Sequence, residues 1–472
     1  MSMRASRPIP IICVALIAVG SAGSAAADPP LLLRVPPAIA LAVSAQPAQQ
    51  PAAAGQTPAP VPAPAGPRLT LRDARDRSLK NHPRVMAAQN EFYARQQIQR
   101  EVRSAYFPTF GGAVTGAQGN DNARIGAGGG LSASRLFDRV GEGVVLSQLI
   151  TDLGRTNNLV ASSKFDAQAS EQNYQATRED ALLAVDHAYY GTLRAQAVVR
   201  VAQDTVAARQ LLYDQVNTLA QNGLRSNLDV SFADVNLSDA KLLLIRSQND
   251  LQASYAQLAR ALGTDRAEPY QLMDEPLPSS PSPNVEDLVN TAMNSRPDIA
   301  KLRLERESAQ KFSYAERDLN RPVVSAVGVA GLMSYSSLQP VPDKYEGVAV
   351  NVDVPVFNGG LFSARHATAE YRAMEADNVL RDLQEAVAQD VRMAWANVTT
   401  AYQRLDVTAQ FLRSATLALD LAQGRYNLGL SSIVELTQAQ LNVTRAEIED
   451  LGAKYDFQDE TSTLQYAIGL LR

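Results

Sequence analysis

The sequence predicts a mainly α-helical fold with a small β part, built twice from one unit. Three observations carry that expectation. Blocks of residues recur in register, long proline-free stretches keep a helical apolar spacing, and short stretches between them alternate residue by residue.

The recurrence sets the organisation. "NGLRSNLDV" at Asn222 returns as "LGLSSIVEL" at Leu428, and "LARALG" at Leu258 returns as "LQYAIG" at Leu464. Pro83 pairs with Pro297, and Pro108 with Pro322, at one offset of 214 (297 − 83 and 322 − 108). Gly223 pairs with Gly429, Asp229 with Glu435, Ala233 with Ala439 and Gly263 with Gly469, all at 206 (429 − 223, 469 − 263). Two blocks in register, with the slip between them, indicate an internal duplication. The expected units are a first repeat at 68–262, a turn-rich linker at 263–284 and a second repeat at 285–472.

Ahead of the repeats, Arg4 and Arg7 precede the apolar run "IPIICVALIAVG", and "SAAAD" follows it. That order predicts a secretory signal peptide at 1–27, since the run is too short to span a bilayer as a helix. Residues 28–67 are rich in proline and alanine without any apolar period, which predicts an extended, disordered leader. The one cysteine, Cys13, lies inside the apolar run, so the exported chain is expected to have neither disulfide nor thiolate chemistry.

Within each repeat the period changes. "GVAVNVDVPVF" places Val348, Val350, Val352 and Val354 on one face and Ala349, Asn351 and Asp353 on the other. "GVVLSQLI" from Gly143 is its weaker counterpart. "PTFGGAVTGAQ" from Pro108 and "PVVSAVGVAGLM" from Pro322 precede them, giving an expected two strands per repeat, each about ten residues. The glycine-rich "GNDNARIGAGGGLSASRLFD" and "SYSSLQPVPDKY" read as loops between strands. The rest reads as helix. Val387, Val391, Ala394, Val398, Tyr402, Leu405 and Leu412 keep a three-or-four spacing, answered by Val185, Ala188, Thr192, Val199 and Val206. A helix of about sixty residues would span about 90–100 Å, too long for a compact domain.

Strands of about ten residues, tilted, cross a bilayer's hydrocarbon core, and one apolar face against one small, polar face is the pattern of an outer-membrane barrel. Four strands cannot close a barrel alone, and an open edge in lipid leaves backbone groups unpaired. The expectation is therefore completion by further copies of the chain. The competing reading is a periplasmic coiled-coil adaptor or structural scaffold, which explains the helices and the export signal but not strands of bilayer length.

These phrases, with "LSQLITDLGR" and "VDVPVFNGG", resemble the outer membrane efflux protein family of TolC-like channels across Leu69 to Leu470. The resemblance implies a homotrimer with twelve strands in one shared barrel embedded in outer-membrane lipid. It implies a helical tunnel through the periplasm that takes cargo from an inner-membrane transporter through a periplasmic adaptor, in efflux or type I secretion. The helix turns would be gate and adaptor-docking tips: Asn222, Gly223, Leu224, Arg225 and Ser226 on one, Leu428, Gly429, Leu430, Ser431 and Ser432 on the other. Glycine would reverse the chain there, with Ser226, Ser431 and Ser432 able to cap the helix that follows. By the same resemblance Asp229 would be a gate aspartate hydrogen-bonded to the phenol of Tyr426, its partner on the second hairpin, and Asp420 another acidic latch position. The family's gate arginine falls on Ser431, leaving Arg225 and Arg425 as nearby substitutes, and its pore-constricting acid falls on Gln438, leaving Glu435.

The sequence gives no sign of an enzyme. His82, His187 and His366 are scattered without metal-ligand spacing, and "GAGGG" at Gly126 lacks the Lys-Ser/Thr of a nucleotide loop. Trp395 and Tyr402 read as packing residues. A net charge of −5 argues against a nucleic-acid partner, and no cofactor is expected.

Overall fold

The computed structural model describes residues 66–118, 124–126, 133–135, 139–336 and 343–471. The expected signal peptide, and the leader as far as residue 65, lie outside the described residues. In chain order the elements are β1 (Arg68–Leu69), α1 (Leu71–Asn81), α2 (Pro83–Arg103), β2 (Thr109–Ala117), β3 (Arg124–Gly126), β4 (Ala133–Arg135), β5 (Arg139–Thr151), α3 (Arg155–Gln221) and α4 (Asn227–Ala261). They continue with β6 (Gln271–Leu272), α5 (Val285–Ser295), α6 (Pro297–Arg317), β7 (Val323–Ser336), β8 (Lys344–Asp353), α7 (Leu361–Asn427) and α8 (Ile433–Ala467).

The duplication is visible in helix length. α1 and α5 each have 11 residues, α2 and α6 each 21, α3 and α7 each 67, and α4 and α8 each 35. Pro83 and Pro297 open α2 and α6, where the missing N–H is harmless. The two 67-residue helices each extend about 100 Å. Val387, Val391, Ala394 and Val398 are buried along α7, and Val185, Ala188, Thr192 and Val199 along α3, as the spacing required.

Three layers repeat one plan, each with four elements side by side. Four strands pair antiparallel in the order β2–β5–β7–β8. Beside them α2 packs on α3, α3 on α6 and α6 on α7. Further along, α4 packs on α3, α3 on α8 and α8 on α7. The two long helices run through both helical layers and hold them in one order. Between those layers lies a small belt where β1 and β6 pair in parallel. There the Tyr189 hydroxyl lies 3.0 Å from the Leu69 carbonyl and 2.7 Å from that of Met273. Arg75 pairs through two nitrogens with the fully buried Asp186, fixing α1 on α3.

The register sorts the sheet into two faces. Phe110, Val144, Leu146, Ala330, Val348, Val350 and Val352 share one face, and Thr109, Ser147, Ser325, Asn351 and Asp353 share the other. Val348 is 87% exposed and Phe110 77%, an apolar surface that lipid would cover. Two sequence expectations change here. The strands run from 9 to 14 residues, and β5 carries two register shifts that blur its alternation. The expected loops are also partly strand: β3 and β4 form a short hairpin inside the first, and Ser334–Ser336 and Lys344–Tyr345 belong to β7 and β8. Strand ends paired to a neighbour keep their backbone bonds even where glycine and serine weaken the pattern.

Candidate functional site at the hairpin tips

α3 and α7 each stop at a glycine. Gly223 has φ +73° and Gly429 φ +74°. The amide of Leu224 donates to the Leu219 carbonyl and that of Gly223 to Ala220, and the second tip repeats the pair with Leu430 to Arg425 and Gly429 to Tyr426. This is the Schellman ending, in which a left-handed residue closes the last carbonyls of a helix. Asn222 and Leu428 are the terminal helix caps before those glycines.

Serine starts the returning helix. The Ser226 hydroxyl accepts from the Asp229 amide at 3.2 Å, and the Asp229 carboxylate accepts from the Ser226 amide at 3.3 Å, a reciprocal capping box. Ser432 accepts from the Glu435 amide at 3.3 Å. Ser431 does not cap. One residue too early for the first turn, its hydroxyl is buried with no hydrogen-bond partner among the described residues.

Arg225 joins the two tips. Its guanidinium stands 4.4 Å from the centre of the Tyr426 ring and donates to the Tyr426 carbonyl at 3.2 Å. Among the described residues the expected hydrogen bond between Asp229 and the Tyr426 phenol is not made, and one oxygen of that carboxylate serves the capping box instead. The phenol oxygen is buried without a partner among the described residues, and burial pushes its pKa up against the opposing pull of Arg225. Arg425 pairs with Glu435 at 3.4 Å on the exposed side of the second tip. Asp420 is exposed and shares none of these contacts. Gln438 is exposed and bonds Asn442 at 3.2 Å.

Beneath the tips Leu212, Val216, Ala233, Tyr426, Ile433 and Leu436 form a small core shared by both hairpins. Leu224, Leu428 and Leu430 are 70%, 75% and 67% exposed, so each tip ends in uncovered apolar surface. Arg209, buried just above this core, was missed in the sequence. The available signal was spacing: Ala202, Val206, Arg209, Leu212 and Val216 follow the three-or-four rule, placing an arginine on an apolar stripe.

Trp395 donates to the Ser282 carbonyl at 2.7 Å and Tyr402 packs on Phe457, both as packing residues. His82 caps α2, and His187 meets Asp459 at 2.6 Å between α3 and α8. Among the described residues no helix is long and apolar enough to cross a membrane.

An open sheet of bilayer-length strands with an apolar face, carried on helices about 100 Å long, belongs to the wall of an outer-membrane duct. Comparison with known proteins gives the particular family. The chain belongs to the outer membrane efflux protein family, whose sequence model matches residues 74–264 and 288–470. It is similar to the outer membrane protein TolC of Vibrio cholerae, 23% identical over 407 residues, covering 85% of this chain and 91% of that one. Protein CyaE of Bordetella pertussis is 26% identical over 411 residues, covering 83% and 82%. Among solved structures, the outer membrane protein VceC of Vibrio cholerae superposes with a TM-score of 0.73 at 19% identity, covering 84% of this chain and 96% of that one. The chain is thus an export duct of the bacterial outer membrane that extends into the periplasm.

Proposed function

We propose that three copies of this chain close into one passive duct, which takes cargo from an inner-membrane transporter through a periplasmic adaptor seated on the hairpin tips. One observation carries this reading. Among the described residues every layer is an arc of four elements with unpaired edges: β2 and β8 in the sheet, α2 and α7 beside it, α4 and α7 beyond. The same side of the subunit leads in all three layers, so one rotation pairs all of them at once. Three four-stranded arcs give twelve strands, enough to close a barrel and leave no backbone edge in lipid. Each repeat contributes one hairpin, so the repeats at 68–262 and 285–472 serve as two staves of the wall.

The tips are the gate in this reading, with Arg225 on Tyr426 and Arg425 with Glu435 holding the hairpins, and Asp229 serving chiefly as a helix cap. Asp420, exposed and without an ion pair among the described residues of the subunit, acts across to a neighbouring copy in this reading. The exposed Leu224, Leu428 and Leu430 supply the adaptor's apolar footing. The test is a planar lipid bilayer to which the detergent-extracted protein is added. Discrete, stepwise conductance is expected, and Leu224→Ser with Leu430→Ser should abolish co-purification of the adaptor while leaving the steps unchanged. A protein that inserts without conducting counts against the duct.

A further inference from the structure

We propose that Arg209 is a spring built into the closed tip: its guanidinium, buried at Nη1 with no partner for that nitrogen among the described residues, is fully hydrated only when the second hairpin swings away from the first. The inference rests on the reading of the tips as the gate. Arg209 is 4% exposed, and its Nη1 has no hydrogen-bond partner. It makes no ion pair among the described residues.

Its surroundings follow from the helix register. The hydroxyls of Thr205 and Thr444 meet at 3.4 Å across the antiparallel α3/α8 seam. One turn nearer the tip on both helices, Arg209 stands level with Gln440, whose Oε1 is also buried without a partner. Beyond them Leu212, Val216, Ile433 and Leu436 close the core, and on α4 the buried neighbours at this level are Leu237 and Ala240. None of these residues is a carboxylate. Burial lowers the guanidinium's pKa to about 10, which leaves it charged at neutral pH.

Among the described residues the other buried charges have a partner: Asp152 accepts from the Thr156 hydroxyl, Arg296 pairs with Asp298 and Asp450 with Lys454. Asp186 has Arg75, Glu316 has Arg365, and Asp318 has Arg317 and Arg321. Arg209 departs from that rule at the part of the molecule that must move. The same region collects unsatisfied groups: of six buried side-chain atoms without a partner among the described residues, four belong to Arg209, Tyr426, Ser431 and Gln440. An unpaired buried charge is costly, and only the apolar core beneath it offsets that cost in the closed state. Opening the α3/α8 seam wets the guanidinium and the Gln440 amide together. The closed tip therefore stores a bias toward opening, which an adaptor's apolar contacts can release.

The test compares open fractions of single channels in a planar bilayer. Arg209→Met keeps the length and removes the charge, so the closed state should gain and the open fraction should fall about tenfold. Gln440→Glu places a carboxylate at the guanidinium's level and should also lower the open fraction. In the double variant the new carboxylate is the unpaired buried charge, and the open fraction should recover. An Arg209→Met channel that opens as often as the parent, or more often, overturns the inference. So does an Arg209→Met chain that no longer forms trimers, since the arginine would then hold the wall together rather than strain it. If the parent protein makes no pore at all, the duct reading fails instead. If Arg225→Ala opens the tip while both Arg209 and Gln440 variants leave it unchanged, this inference alone fails.

Discussion

Arg225 reaches from the first hairpin onto the ring and the carbonyl of Tyr426 on the second, across 201 residues of sequence. A guanidinium held over a buried ring is worth about 1–2 kcal/mol when partly desolvated. Arg225→Ala is therefore predicted to raise single-channel conductance or open fraction about fivefold or more in a planar bilayer. Tyr426→Phe should raise neither, because the phenol oxygen has no partner to lose. The opposite ranking would restore an Asp229–Tyr426 latch. At this scale the sequence was legible where a residue's task depends on its immediate neighbours. Gly223, Gly429, Ser226 and Ser432 announce a helix ending and a helix beginning within a few positions. Which cation meets Tyr426 depends on how two hairpins pack, and no local pattern encodes that. Ser431 failed as a cap for a related reason: only one of two adjacent serines can occupy the residue before the first helical turn.

The long helices end alike but against different surroundings, which separates two nearly identical glycines. A methyl on Gly223 would meet nothing within 4 Å, whereas one on Gly263 would lie 2.8 Å from the backbone of Asn81 and His82. Gly223→Ala should cost about 1 kcal/mol, the left-handed penalty alone, while Gly263→Ala should cost about 3 kcal/mol or fail to assemble. The temperature at which trimers dissociate on a gel measures the difference. The α3/α8 seam adds a pH dependence through His187. Its hydrogen bond to Asp459 at 2.6 Å raises its pKa above the ordinary 6.5, against the effect of burial. A raised folded-state pKa adds stability that is complete below the unfolded value and is lost as pH rises through the folded one. The parent should therefore lose thermal stability relative to His187→Gln between mildly acidic and alkaline pH, and two parallel curves would contradict the pairing. Element types were readable wherever the period was clean. β8 alternates cleanly from Gly347 to Asp353, and the valines of α7 hold their spacing over many turns. β5 was harder because its register shifts move side chains between faces, and the β3/β4 hairpin was hidden in glycine and serine.

At the scale of the whole molecule, one order of neighbours is imposed three times by two helices that run through both helical layers. The duplication made the wall legible: matched glycines and prolines imply matched hairpins, and matched hairpins must lie side by side. What the repeat could not reveal is the difference between its copies. Asp186 with Arg75 in one half, and Glu316 with Arg365 in the other, are unlike devices at unlike places. Arg209 has no such partner, because evidence of pairing lies in three-dimensional packing rather than in spacing along a helix. The central claim is that the unpaired edges β2 and β8 meet between copies. Light scattering of the detergent-extracted particle, with the detergent's mass subtracted, addresses it most directly. Three chains per particle is the predicted mass; a stable particle of one chain, with its sheet edges still open, would contradict the account.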